Sequence, residues 1–324
     1  MRLLCLALLC AACRATAPAV HFPAAAARNE PPRPSSGCRS SDPVVQGLRS
    51  LTSGGHTRRF RLVVPESAQP GPAPLVLNLH GLVENVKLHE WYTAMDEAAG
   101  ARGMIVVYPQ GLGNSWNAGP ACCGRARDEG VDDVRFLRDL VREMEGELCV
   151  DRARVYATGL SNGAIMSYRL ACDASDLFAA IAPVAGVEAA PKCQPKRPVP
   201  VLAFHGTSDL LVRWEGGWFG LESPQASVAR WSQRDRCQGP PAQTVYARGD
   251  VRCDAAPSCA ADVVLCRIDG GGHTWPGAFS TYFLGRTSSD VDASATMLDF
   301  FLDHPLSWSY GPSSPPMGLS ASIK

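Results

Sequence analysis

Arg154-Val155-Tyr156-Ala157-Thr158-Gly159-Leu160-Ser161-Asn162-Gly163-Ala164-Ile165 is the stretch on which the fold turns. Residues 154–157 read as a short buried strand and residues 164–172 as a helix. Between them the pattern Gly-x-Ser-x-Gly packs the strand-to-helix turn into five residues. A serine on such a turn has its hydroxyl pushed out at the sheet edge, and small neighbours are needed to avoid clashes. Gly159 and Gly163 meet that need, and the start of the following helix favours developing negative charge. Alone, the pattern fits a helix-capping serine equally well. Its place behind a strand favours a nucleophile.

Outward from this turn, short apolar runs alternate with longer amphipathic ones. Strands are expected at 59–65, 75–79, 104–108, 179–184, 199–204 and 263–268, and helices at 88–102, 131–148, 224–236 and 294–303. The clearest helix is 131–148, where Val134, Leu137, Val141 and Met144 recur at helical intervals behind Asp132 and Asp133. Such alternation makes βαβ units, so the expected class is α/β: a mainly parallel sheet flanked by helices, in a single domain. Ligand sites on such sheets lie at the carboxyl ends of strands.

The chain has 324 residues, and its 31 acidic and 31 basic side chains balance. That balance argues against a nucleic-acid partner, which would call for a basic excess. Arg2 followed by the apolar run 3–12 reads as a secretory signal, too short to span a bilayer. We expect a signal segment at 1–17, a flexible arm at 18–50 rich in Ala, Pro, Arg and Ser, a catalytic domain at 51–306 and a loose tail at 307–324. Beyond the signal lie Cys38, Cys122, Cys123, Cys149, Cys172, Cys193, Cys237, Cys253, Cys259 and Cys266. An even set in an exported chain suggests a disulfide framework, with the pairing open. No Cys-x-x-Cys pair occurs among these ten, so zinc is the weaker reading. The expectation is a secreted, extracellular protein with no metal, no stable membrane association and no evident obligate protein partner.

A serine nucleophile needs a general base and a third group to orient it, in the chain order Ser, acid, His. His273 stands in the glycine-rich loop Gly270-Gly271-Gly272-His273 after the last expected strand, and Asp209 in the loop after 199–204. Asp209 would hold the imidazole in one tautomer; Asp269 and Glu215 are weaker rivals. The oxyanion donors would be the backbone N–H groups of Asn162 and of Leu82, where Gly81 permits close approach. His80 is expected to pack or hydrogen-bond. Trp116, Trp214 and Trp275 fall in strand-end loops, where they would stack on a substrate ring or cover the core edge.

Together, these segments resemble the secreted esterases of the feruloyl esterase and polyhydroxybutyrate depolymerase group. The matching residues are Leu79-His80-Gly81, Trp116-Asn117, Cys122-Cys123-Gly124, Val131-Asp132-Asp133-Val134, Arg154-Val155-Tyr156 with Gly159 to Gly163, His205-Gly206-Thr207 with Asp209, and Gly272-His273-Thr274-Trp275-Pro276-Gly277. The resemblance implies an α/β-hydrolase fold, a Ser161–Asp209–His273 triad, no cofactor, and an ester substrate from plant cell-wall polysaccharide or, alternatively, from polyester. Some fungal feruloyl esterases place cysteines beside the catalytic Ser and His; here Leu160 and Thr274 stand there. An inactive carbohydrate-binding protein on the same scaffold is the alternative of another class.

Overall fold

Runs rich in valine, isoleucine and leucine form the centre of a ten-stranded sheet. The computed structural model describes residue 20 and residues 30–68, 70–190, 192–280 and 282–307. Its strands are β1 (Gly47–Ser53), β2 (His56–Val63), β3 (Ala73–Leu79), β4 (Ile105–Pro109), β5 (Val150–Leu160), β6 (Ala180–Val184), β7 (Val201–Gly206), β8 (Gln243–Arg248), β9 (Val251–Ala255) and β10 (Val263–Ile268). The spatial order is β1-β2-β4-β3-β5-β6-β7-β10-β9-β8. From β4 to β10 the neighbours run parallel, while antiparallel pairs finish both edges.

The helices are α1 (Val86–Thr93), α2 (Met95–Gly100), α3 (Arg125–Asp128), α4 (Asp133–Glu147), α5 (Asn162–Asp173), α6 (Pro224–Arg234) and α7 (Ala293–Asp303). They cover both faces of the sheet. Phe136, Leu140 and Trp231 lie in one apolar cluster, and Met95, Met297 and Phe301 in the other. That double cover explains why β4, β6 and β7 are buried along their whole length rather than alternately. Asp132 caps α4 by accepting from Arg135 N–H, and Ser223 and Asp292 cap α6 and α7 in the same way. The α/β class expected from the alternation, a mainly parallel sheet flanked by helices, is the one observed, in keeping with the α/β-hydrolase fold that the resemblance implies. No helix among the described residues is long and apolar enough to cross a membrane.

Three expectations need correction. The arm drawn at 18–50 is packed in its second half: Ser35 Oγ donates to Leu148 O at 2.6 Å and accepts from Val150 N–H at 3.0 Å, and Arg33 N–H donates to Asp151 Oδ1 at 2.8 Å. A disulfide from Cys38 to Cys149 ties this segment to the start of β5. The single helix expected over 88–102 breaks at Ala94, which sits in the left-handed region at φ 44°. Edge strands β1, β8 and β9 were not anticipated. The signal segment 1–17 and all but the first residue of the tail at 307–324 lie outside the described residues.

The ten cysteines among the described residues all pair, as Cys38–Cys149, Cys122–Cys123, Cys172–Cys193, Cys237–Cys259 and Cys253–Cys266.

Candidate active site

β5 ends at Leu160 and α5 starts at Asn162, so Ser161 is the whole of the turn between them. It adopts φ 56° and ψ −117°, a conformation costing about 1–3 kcal/mol in a residue with a side chain. Neighbours impose it: Ser161 N–H donates to Val184 O on β6 at 2.9 Å, and Ser161 O accepts from Ile165 N–H at 2.9 Å. The backbone of β3 runs directly against the turn. A Cβ added to Gly163 would lie 2.1 Å from Leu79 O, and one on Gly159 would lie 2.5 Å from the same atom.

Asp209 and His273 arrive from the ends of β7 and β10. Asp209 Oδ2 is 2.7 Å from His273 Nδ1, with both side chains buried. The other oxygen, Oδ1, accepts from Leu211 and Val212 N–H at 2.8 Å each, which fixes the carboxylate plane. Burial pushes the Asp209 carboxyl up, but the His273 hydrogen bond and the charges of His273 and His205 outweigh it and hold it below the ordinary aspartate range. An ionised Asp209 accepts from Nδ1–H, leaving the lone pair on His273 Nε2. That nitrogen has no hydrogen-bond partner among the described residues. His273 N–H donates to Leu284 O at 2.7 Å, and Gly272 N–H to Arg286 O at 2.9 Å, pinning the glycine-rich loop. Burial lowers the pKa of neighbouring His205, whose Nε2–H donates to Val212 O at 2.8 Å.

Ser161, His273 and Leu82 line one cavity of about 480 Å³, a size suited to a small organic group. The backbone N–H groups of Leu82 and Asn162 make no hydrogen bond among the described residues, as oxyanion donors require. Each is held from behind. Asn162 Oδ1 accepts from Trp116 N–H at 2.6 Å, and its Nδ2 donates to Trp116 O at 3.1 Å. The Trp116 indole N–H donates to His80 O at 2.9 Å, and Gly81 N–H donates to Glu84 Oε2 at 2.7 Å. Glu84 lies within 3.1 Å of His89 Nδ1; burial raises its pKa, but that contact and the Gly81 N–H bring it below the usual range. His80 is structural: its Nε2 accepts from Gly111 N–H at 3.0 Å, and burial lowers its pKa to about 4, so the ring is neutral.

The stacking role drawn for the three tryptophans is corrected. Trp116 is 0% and Trp275 1% exposed, and neither lines the cavity. Trp116 packs beneath the segments that carry Leu82 and Asn162, while the Trp275 indole N–H donates to Ser294 Oγ at 3.0 Å. Trp214 is half-buried against the core, also off the cavity wall. The wall instead holds Val83, Glu84, Cys122, Cys123, Arg127, Leu211, Phe219, Leu221 and Leu284; sequence reasoning placed none of them there, because they come from loops and short helical turns without a usable periodicity. A usable signal existed for Glu84, an acid placed three residues beyond Gly81 and just before the α1 cap Asn85. Asp269 pairs with Arg267 at 2.9 Å on the surface. Among the described residues one cluster has metal-ligand spacing, Cys172, Glu188 and Cys193, but both sulfurs are spent in a disulfide.

Comparison with known proteins finds esterase relatives and a shared fold. The sequence model of the prolyl oligopeptidase family matches residues 91–192. The protein named "Putative esterase NocK" from Nocardia uniformis subsp. tsuyamanensis is 31% identical over 282 residues, covering 78% of this chain and 82% of that one. Feruloyl esterase B from Piromyces equi is 33% identical over 220 residues, covering 62% of this chain and 39% of that longer protein. Among solved structures, acetyl xylan esterase from Aspergillus awamori aligns with a TM-score of 0.55 at 17% identity, over 70% of this chain and 94% of that one, which shows a shared fold.

Proposed function

This chain belongs to the feruloyl esterase-like family of α/β-hydrolases and is a serine carboxylic ester hydrolase, and we propose that Ser161, His273 and Asp209 carry its reaction on acyl esters of plant cell-wall polysaccharide. The observation that carries this reading is the buried 2.7 Å contact between His273 Nδ1 and Asp209 beside the cavity that Ser161 lines. His273 Nε2 takes the Ser161 proton as Oγ adds to the ester carbonyl. The N–H groups of Leu82 and Asn162 hold the oxyanion, worth about 10²–10³ in rate per donor. Collapse expels the alcohol, which leaves with the proton from His273, and forms the acyl-enzyme. Water, deprotonated by the same imidazole, then releases the acid and restores Ser161.

The name of the Piromyces relative and the apolar cavity both favour an aromatic acyl group. Export is part of the proposal, since five disulfides fit an oxidising compartment. A second reading, polyester cleavage, is favoured by one specific observation: Val83 and Phe219 at the cavity mouth are 79% and 75% exposed. Purified enzyme assayed on methyl ferulate and on a polyester suspension separates the two readings. Ferulate release without clearing is expected, and clearing alone would overturn the polysaccharide reading. Ser161→Ala is expected to abolish whichever hydrolysis the wild type shows, with the fold intact; undiminished hydrolysis by that variant would exclude Ser161 as nucleophile.

A further inference from the structure

Four of the five disulfides join residues separated by 13 to 111 positions, closing loops that would otherwise add entropy to the unfolded chain. Cys122 and Cys123 are adjacent, so their bond closes no such loop. Stabilisation through the unfolded state therefore gives no reason for it. What the bond does is local: it locks one peptide into a small ring and presents two sulfurs as a fixed surface.

That surface faces the chemistry. Both cysteines line the cavity shared by Ser161 and His273. Cys122 Sγ lies 3.8 Å from the Asn162 side-chain amide, the residue beside the nucleophile. The next residue, Gly124 at φ 88°, brings the turn so close to the oxyanion segment that an added Cβ would sit 2.7 Å from Leu82 Cδ1. The Cys122–Gly124 turn thus reaches from Asn162 to Leu82, the two proposed oxyanion residues, and forms part of the cavity wall.

We propose that the Cys122–Cys123 disulfide is a specificity-determining wall of the substrate cavity, contacting the aromatic acyl group of the ester. Divalent sulfur is polarizable and attracts aromatic rings, and a locked ring loses no side-chain freedom when a substrate lands on it. The Trp116 and Trp275 rings lie in the core, so aromatic recognition falls to other surfaces, and this pair supplies one. The proposal rests on the serine-esterase reading above.

The test compares 4-nitrophenyl ferulate with 4-nitrophenyl acetate, esters that share one alcohol. In the full-length Cys122→Ala, Cys123→Ala variant, the ratio of kcat/KM values, ferulate over acetate, is expected to fall about fivefold or more, chiefly through KM. A variant with both values lowered in proportion, or both unchanged, overturns the proposal, because a purely structural role leaves the ratio alone. Should the variant not fold, the same ratio is measured on wild-type enzyme treated with dithiothreitol and iodoacetamide until mass spectrometry places alkylation at Cys122 and Cys123 only. The dithiol passes two electrons and two protons to the S–S bond and cyclises; each thiolate then displaces iodide. A lowered ratio supports the wall and an unchanged one rejects it. Organophosphonate labelling of Ser161 is followed in parallel. Unmodified enzyme that fails to label defeats the nucleophile reading, whereas labelling with an unchanged ratio defeats the disulfide proposal alone.

Discussion

Asp209 and Asp235 are both buried aspartates, yet their surroundings push them in opposite directions. Asp209 has two backbone N–H donors on one oxygen and His273 on the other, enough to keep it ionised against the cost of burial. Asp235 has one hydrogen bond, from Val199 N–H to Oδ1 at 3.0 Å, while its Oδ2 is buried without a partner. Burial therefore dominates and raises its pKa from 3.8 to about 8. The unfolded chain releases this proton near pH 4 and the folded chain keeps it to about pH 8, so the contribution of Asp235 to stability falls as pH rises through that window. Urea unfolding of wild type and Asp235→Asn at pH 5 and pH 8 is expected to show wild type losing ground to the variant at the higher pH. A difference independent of pH would mean that Asp235 is ionised in the fold.

Among the elements, sequence periodicity found the parallel centre and missed the edges, for a physical reason. β3, β4, β6, β7 and β10 are short apolar runs because helices cover both their faces, and such runs are visible without any partner. β8 has no fully buried residue, so its identity depends on pairing with β9, which a local pattern does not encode. The break at Ala94 likewise lacks a glycine or proline to mark it. In the site, the order of Ser161, Asp209 and His273 was legible because each follows a strand end, whereas the burial of Trp116 was not. Residue type suggested a stacking surface, but tertiary packing made Trp116 a brace across three chain segments. Trp116→Phe keeps an aromatic ring, though a smaller one, and removes the N–H that holds His80 O, leaving that carbonyl unpaired. The expected result is a kcat lower by about tenfold at little-changed KM, since oxyanion donors act mainly in the transition state. An unaltered kcat would show that Gly81–Glu84 alone fixes the loop.

Across the whole molecule the disulfides form a graded set of staples, and the longest of them belongs to the segment whose packing the composition concealed. Residues 33–39 carry no apolar pattern, and their docking depends on Ser35, Arg33 and Cys38 reaching the start of β5. Cys38–Cys149 spans 111 residues, for which chain entropy gives about 4–5 kcal/mol, against about 3 kcal/mol for a loop such as Cys253–Cys266. The Cys253–Cys266 bridge also joins directly paired positions of β9 and β10, already held by the ladder on both sides. Removing each bridge as a double alanine variant, which puts no hydroxyl at the fully buried Cys253 and Cys266, should therefore lower the urea midpoint more for Cys38–Cys149 than for Cys253–Cys266. Esterase turnover of a small aryl ester should persist in both, because neither pair lines the cavity. The reverse order of midpoints would mean that residual structure in the unfolded chain already holds residues 33–39 near β5, and that the bridge adds little to what Ser35 and Arg33 secure.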